Sequence, residues 1–167
     1  ILKKENIPNT VEMEGTYSEK GGIAFDQFKF TVDGNSLTGE AKLKNFSNPV
    51  YSILLDGVGF ETNAMKTMTS FFKNNTDGKV DFHIVGQGNL NNPENSLFKG
   101  SAILKDLVFK WKDRKYPLTI NADVRFDGNT YDFRSGRMES GRSEILFRGK
   151  YKNKEQPELL LKLTGQT

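Results

Sequence analysis

Nucleophilic or acid–base catalysis needs a base beside a nucleophile, or carboxylates held together in a cleft, and this chain is sparing with such parts. It has no cysteine and one histidine, so there is no thiol nucleophile or thiolate metal site, and any Ser/His/Asp relay must run through His83. The flanking Asp81-Phe-His-Ile84 alternates as a strand does, which reads His83 as a structural or solvent-facing imidazole rather than a catalytic one. Gly57-Val-Gly-Phe60 and Gly86-Gln-Gly88 lack the strand-to-helix setting of a phosphate or dinucleotide loop and read as strand ends or bulges. Asp26, Asp33, Asp127 and Asp132 fall in or beside turns, without calcium-loop spacing. No catalytic residue, cofactor or metal site emerges, and the chain is expected not to be an enzyme.

The richest polar segment is Phe109-Lys-Trp-Lys-Asp-Arg-Lys-Tyr116, where basic and aromatic residues interleave. It fits a charged hairpin tip, a contact with anionic headgroups, or a platform for single-stranded nucleic acid. Nucleic acid fits worst, because 24 Lys and Arg stand against 21 Asp and Glu and the net charge is only +3. Lys110, Lys112, Arg114, Lys115 and Tyr116 are therefore the candidate headgroup or rim residues, and Trp111 suits either the rim or the apolar face.

Strict alternation is the dominant pattern among the elements that must carry these residues. In Leu118-Thr-Ile-Asn-Ala-Asp-Val-Arg-Phe126 apolar and polar residues alternate, the period of a half-buried strand, and Asp127-Gly128-Asn129 supplies a tight turn. Phe28, Phe30 and Val32 behave alike before Asp33-Gly34-Asn35, and Leu37, Gly39, Ala41 and Leu43 return. Ile145, Phe147, Gly149 and Tyr151 continue the pattern late in the chain, although Leu146 breaks it. Pro49 and Pro157, unable to donate to a ladder, mark strand starts. Thr62 to Asn74 carries Met65, Met68, Phe71 and Phe72 at helical spacing and predicts one short helix near residues 63–74, a plug over the sheet rather than a lid. Asn91 to Ser96 reads as a polar loop.

One passage occurs twice at a constant offset of 108 residues: Lys42, Lys44, Asn45, Pro49, Leu55 and Gly57 return as Lys150, Lys152, Asn153, Pro157, Leu163 and Gly165. The chain thus reads as a single segment, 1–167, containing two related units around 9–57 and 116–165. Hydrophobic residues are only 35% of the chain, yet 13 are Phe, which suits a sheet with one wet face. The expected fold is mainly β: a strongly curved, mostly antiparallel meander of nine or ten strands forming an apolar groove or half-barrel. Its apolar face is expected to carry Phe28, Phe30, Leu37, Leu43, Ile53, Leu55, Phe109, Trp111, Leu118, Ile120, Val124, Phe126, Tyr131, Phe133, Ile145, Phe147, Tyr151, Leu159, Leu161 and Leu163. With few helices to cover it, that face must fold over on itself or bind something apolar.

Lys79-Val80, Phe98-Lys-Gly-Ser-Ala-Ile-Leu-Lys-Asp-Leu-Val-Phe-Lys-Trp-Lys112, Tyr116-Pro-Leu-Thr-Ile120, Asp123-Val-Arg-Phe-Asp-Gly-Asn129 and Ser143-Glu-Ile-Leu-Phe-Arg-Gly-Lys-Tyr-Lys-Asn153 together resemble the carboxy-terminal region of AsmA-family proteins. The resemblance covers nearly the whole chain and rests on strand pattern and turn residues. It implies a Gram-negative envelope protein, anchored in the inner membrane by parts outside this sequence, reaching through the periplasm and serving outer-membrane biogenesis and phospholipid transport. The sequence has no apolar run long enough to span a bilayer and starts at Ile1, so it reads as a fragment of a longer chain. The expected partners are a phospholipid or other acyl-chain ligand and neighbouring β segments of the parent chain, without nucleic acid. A scaffolding β module for outer-membrane assembly and a glycan-binding β-sandwich are the alternatives.

Overall fold

The computed structural model describes residues 10–19, 21–32, 34–65, 76–110 and 115–166. Their alternating sequence builds ten strands in one antiparallel meander, each hydrogen-bonded to the next in chain order. The strands are β1 (Thr10–Ser18), β2 (Gly22–Val32), β3 (Asn35–Lys44), β4 (Val50–Glu61), β5 (Thr76–Asn89), β6 (Asn92–Phe109), β7 (Leu118–Asp127), β8 (Thr130–Ser140), β9 (Ser143–Lys152) and β10 (Glu158–Gln166). Because β1 and β10 have one partner each, the sheet is open. Packing between elements is almost wholly between consecutive strands.

The helix expected near residues 63–74 is described only as α1 (Thr62–Met65), a single turn against β4 and β5, while residues 66–75 lie outside the described residues. The polar loop expected at Asn91 to Ser96 is drawn partly into β6: the chain turns at Leu90–Asn91 and Asn92 already pairs with Asn89, but Pro93 to Ser96 bulge opposite Gly88 before pairing resumes at Gln87↔Leu97. β7 reaches β6 only from Lys99 onward, so Pro93 stands on an open edge, where its missing N–H removes no ladder bond.

The 108-residue offset reappears in the ladder. The starts of β1 to β4, at Thr10, Gly22, Asn35 and Val50, correspond to those of β7 to β10, at Leu118, Thr130, Ser143 and Glu158. Leu37↔Gly57 on β3 and β4 becomes Ile145↔Gly165 on β9 and β10. One period is therefore six strands, and β7 to β10 open a second. The two Asp-Gly-Asn turns are not equivalent under this offset. Gly34 turns β2 into β3, whereas Gly128 turns β7 into β8.

The register differs in one place. Tyr17 pairs with Ile23, but Phe126, one residue beyond Tyr17 under the offset, pairs with Tyr131. Since side chains alternate faces, a one-residue slip would turn a strand over. The apolar residues of β1, Val11, Met13 and Tyr17, are themselves displaced by one against those of β7, so the slip keeps them on the apolar face.

Four bulges do the same within strands. Asp26 and Gln27 stand opposite Glu40, Val58 and Gly59 opposite Asp81, Lys105 and Asp106 opposite Asn121, and Arg134 and Ser135 opposite Arg148. In each, an extra residue lets apolar or glycine positions three apart, such as Phe25 and Phe28 or Leu104 and Leu107, share a face. The opposing side chain satisfies the backbone at two of them: Gly59 N donates to Asp81 Oδ1 at 2.7 Å and Asp106 N to Asn121 Oδ1 at 2.9 Å. Asp106 has φ of 50°, a left-handed value that Asp tolerates, and Asn121 Nδ2 donates back to its carboxylate at 3.1 Å.

Candidate functional site

Register turns the alternating strands into apolar rows that cross the whole sheet. One runs Met13, Phe28, Gly39, Leu55, Ile84, Gly100, Phe126, Tyr131, Tyr151, Leu159. The next runs Val11, Phe30, Leu37, Gly57, Phe82, Ala102, Val124, Phe133, Gly149, Leu161. Every position in both rows is apolar or glycine. Rings lie across glycines of adjacent strands: Phe25 over Gly15, Phe28 over Gly39, Phe82 over Gly57, Phe98 over Gly86, Phe126 over Gly100 and Phe147 over Gly136. A glycine gives a flat ring room to lie along the sheet, and the ring restores the burial that the glycine lacks.

Among the described residues the face is covered only in part. Phe60, Val80, Leu107 and Ala122 are the buried hydrophobic residues among those described, while Met13, Tyr17, Leu159 and Leu163 near the two edges are more than half exposed. Of the expected face residues, all except Trp111 are brought to this one side, and Trp111 lies outside the described residues. Sequence reading passed over Phe25, Phe60, Phe82, Ile84, Phe98 and Leu104, which share the face. The available signal was two intervening residues between apolar or glycine positions, as in Phe25-Asp-Gln-Phe28 and Leu104-Lys-Asp-Leu107, where a strict period of two breaks at a bulge.

The expected rim is only partly visible. Lys112 and Arg114 lie outside the described residues. Lys110 donates to Asp77 Oδ2 at 3.2 Å, Lys115 Nζ stands 5.3 Å from the Tyr116 ring centre, and that ring sits beside the Gly141 turn.

The opposite face is polar and holds open depressions. One of about 550 Å³ is lined by His83, Ser101, Arg125, Asp132 and Lys150 among others. Here register places Asp56, His83 and Ser101 side by side on β4, β5 and β6. Asp56 Oδ1 lies 2.6 Å from His83 Nδ1, while no hydrogen bond joins His83 to Ser101. These are the residue types of a nucleophilic relay, but the arrangement is poor for catalysis. The imidazole and carboxylate are 50% and 43% exposed, and these mid-sheet strands spend their amides on the ladder, which leaves none to stabilise an oxyanion. Asp56 lies 27 residues from His83, so no local signal announces the pair.

Asp81 carries a carboxyl with a displaced titration. The hydrogen bond from Lys105, then that from the Gly59 amide, hold it below the ordinary value of 3.8 against the opposing effect of burial. Its role is to close a bulge. Among the described residues no group of His, Cys, Asp or Glu could hold a metal ion, and no helix is long and apolar enough to cross a membrane. Neither a family model, nor a curated protein, nor a solved structure matches the chain.

Proposed function

We propose that this chain is a non-enzymatic lipid-binding segment, whose apolar face shelters acyl chains while headgroups stay in water. The observation that carries the reading is the continuity of the apolar rows over ten strands, with no second layer of strands upon them among the described residues. Each buried CH₂ contributes roughly 0.8 kcal/mol, so a tail laid along a row gains steadily with length and needs no particular residue. Bulges on alternate strands raise local twist and favour a sheet that curls into a groove. The resemblance to AsmA proteins supports a periplasmic setting in a Gram-negative envelope, with the membrane anchor outside this sequence and phospholipid as cargo.

The test is uptake of a fluorescent fatty acid or phospholipid by delipidated protein, with mass spectrometry of lipid that copurifies. Saturable uptake lost in Leu55→Asp and Ile84→Asp, which sit mid-row, is the expected result. Absence of uptake by folded protein would sink the proposal.

A scaffolding role is the second reading, favoured by the outer edges of β1 and β10, which have no partner among the described residues. An open edge is a template for another strand. Under the six-strand period β10 corresponds to β4, whose outer neighbour is β5.

A further inference from the structure

We propose that Arg134, Arg148 and Lys162, on the polar face of the last three strands, form a site for a phosphate group. The site stands on the face opposite the apolar rows, so it holds or fails independently of the acyl-chain reading.

The β8 bulge sets Arg134 and Ser135 together against Arg148, and on the far side of β9 Arg148 pairs directly with Lys162. Three cations on three adjacent strands thereby line one open depression of about 400 Å³, with Ser135 and Thr164 contributing hydroxyls. Like charges placed directly opposite weaken a strand pair, so this arrangement costs the free protein stability. Of the neighbouring cations, Arg137 pairs with Glu139 and Glu144 and Lys152 with Glu158, whereas Lys150, the next polar-face position on β9, has no ion pair among the described residues. Among the described residues the three cations of the depression have no ion pair, and Asp123, opposite Ser135 in register, has none either.

The repeat supplies an internal comparison. The 108-residue offset carries Arg134, Arg148 and Lys162 onto Asp26, Glu40 and Leu54, which occupy the same bulge, with the same register, in the first unit. Formal charge thus changes from three positive to two negative on one framework. Bulge and ladder form with either set, so the cations are not a requirement of the fold. Two guanidinium forks and an ammonium beside hydroxyls match the several oxygens of a phosphate dianion, which guanidinium binds in bidentate fashion. That phosphate could be inorganic or the phosphomonoester headgroup of a lipid.

The test titrates the whole chain with inorganic phosphate against sodium chloride at matched ionic strength, read by amide chemical shifts and melting temperature. Saturable shifts centred on β8 to β10 and a higher melting temperature in phosphate are expected. Arg148→Gln should weaken phosphate binding at least tenfold and raise the melting temperature without phosphate, whereas Glu40→Gln should leave binding unchanged. Should Arg148→Gln fail to fold, Arg134→Gln and Lys162→Gln serve the same purpose. Phosphatidylcholine vesicles with and without phosphatidic acid identify the source: binding that requires phosphatidic acid and is competed by phosphate indicates a headgroup, and phosphate binding alone indicates a free phosphate. A phosphate response equal to that of chloride, or one unchanged in all three variants, overturns the proposal.

Discussion

The ring of Phe82 on β5 lies across Gly57 on β4, and a Cβ added to that glycine would stand 2.5 Å from two ring carbons. Gly165, the counterpart of Gly57 under the repeat, lies on the edge strand, and its nearest neighbour to an added Cβ is 3.5 Å away. Gly57→Ala should therefore cost about 1–3 kcal/mol through overpacking, while Gly165→Ala should change stability by about 0.5 kcal/mol or less. Urea unfolding of the two variants compares them, and equal costs would mean that the ring does not set the requirement for glycine.

Asp81→Ala removes the acceptor for the Gly59 amide and the partner of Lys105. Leaving that part-buried N–H without a partner should cost about 1–3 kcal/mol. Asp81→Asn keeps an acceptor for the amide and should cost less. A refolding midpoint identical for all three proteins would show that the bulge does not depend on this cap.

Acid should expose the same contact. The folded carboxyl of Asp81 titrates below its ordinary 3.8, so its contribution is present above that value and is lost as pH falls through the folded value. Unfolding free energy should decline more steeply below pH 3.8 in the wild type than in Asp81→Asn. Parallel declines would assign the acid sensitivity to other carboxylates.

His83→Ala should alter stability by less than about 1 kcal/mol, because a polar contact between two half-exposed side chains contributes little. Hydrolysis of an activated ester by the wild type should not exceed that by the variant. A clear loss of turnover in His83→Ala would instead make the Asp56, His83 and Ser101 row a working relay.

β10 exposes Leu159, Leu160, Leu161 and Leu163 along an open edge. Edge pairing between copies should make the protein associate as concentration rises, and Leu161→Lys should shift the weight-average mass toward monomer. Sedimentation that is independent of concentration in both proteins would count against an exposed pairing edge.

Strand existence and the division into two faces were legible in the sequence, because side-chain direction alternates with the backbone and short turns make successive strands neighbours. Phe28, Leu55, Phe126 and Leu161 could be assigned to one face on that ground alone. What stands beside each of them is a long-range matter decided by register, and register depends on turn length and on bulges that sequence alternation shows only as a break. Tertiary structure alone therefore sets Phe82 against Gly57, brings Asp56 to His83 across 27 residues, and gathers Arg134, Arg148 and Lys162 on one side. It also decides that the sheet stays open, since closure would require β1 and β10 to meet, and no local pattern in either strand specifies or forbids that pairing.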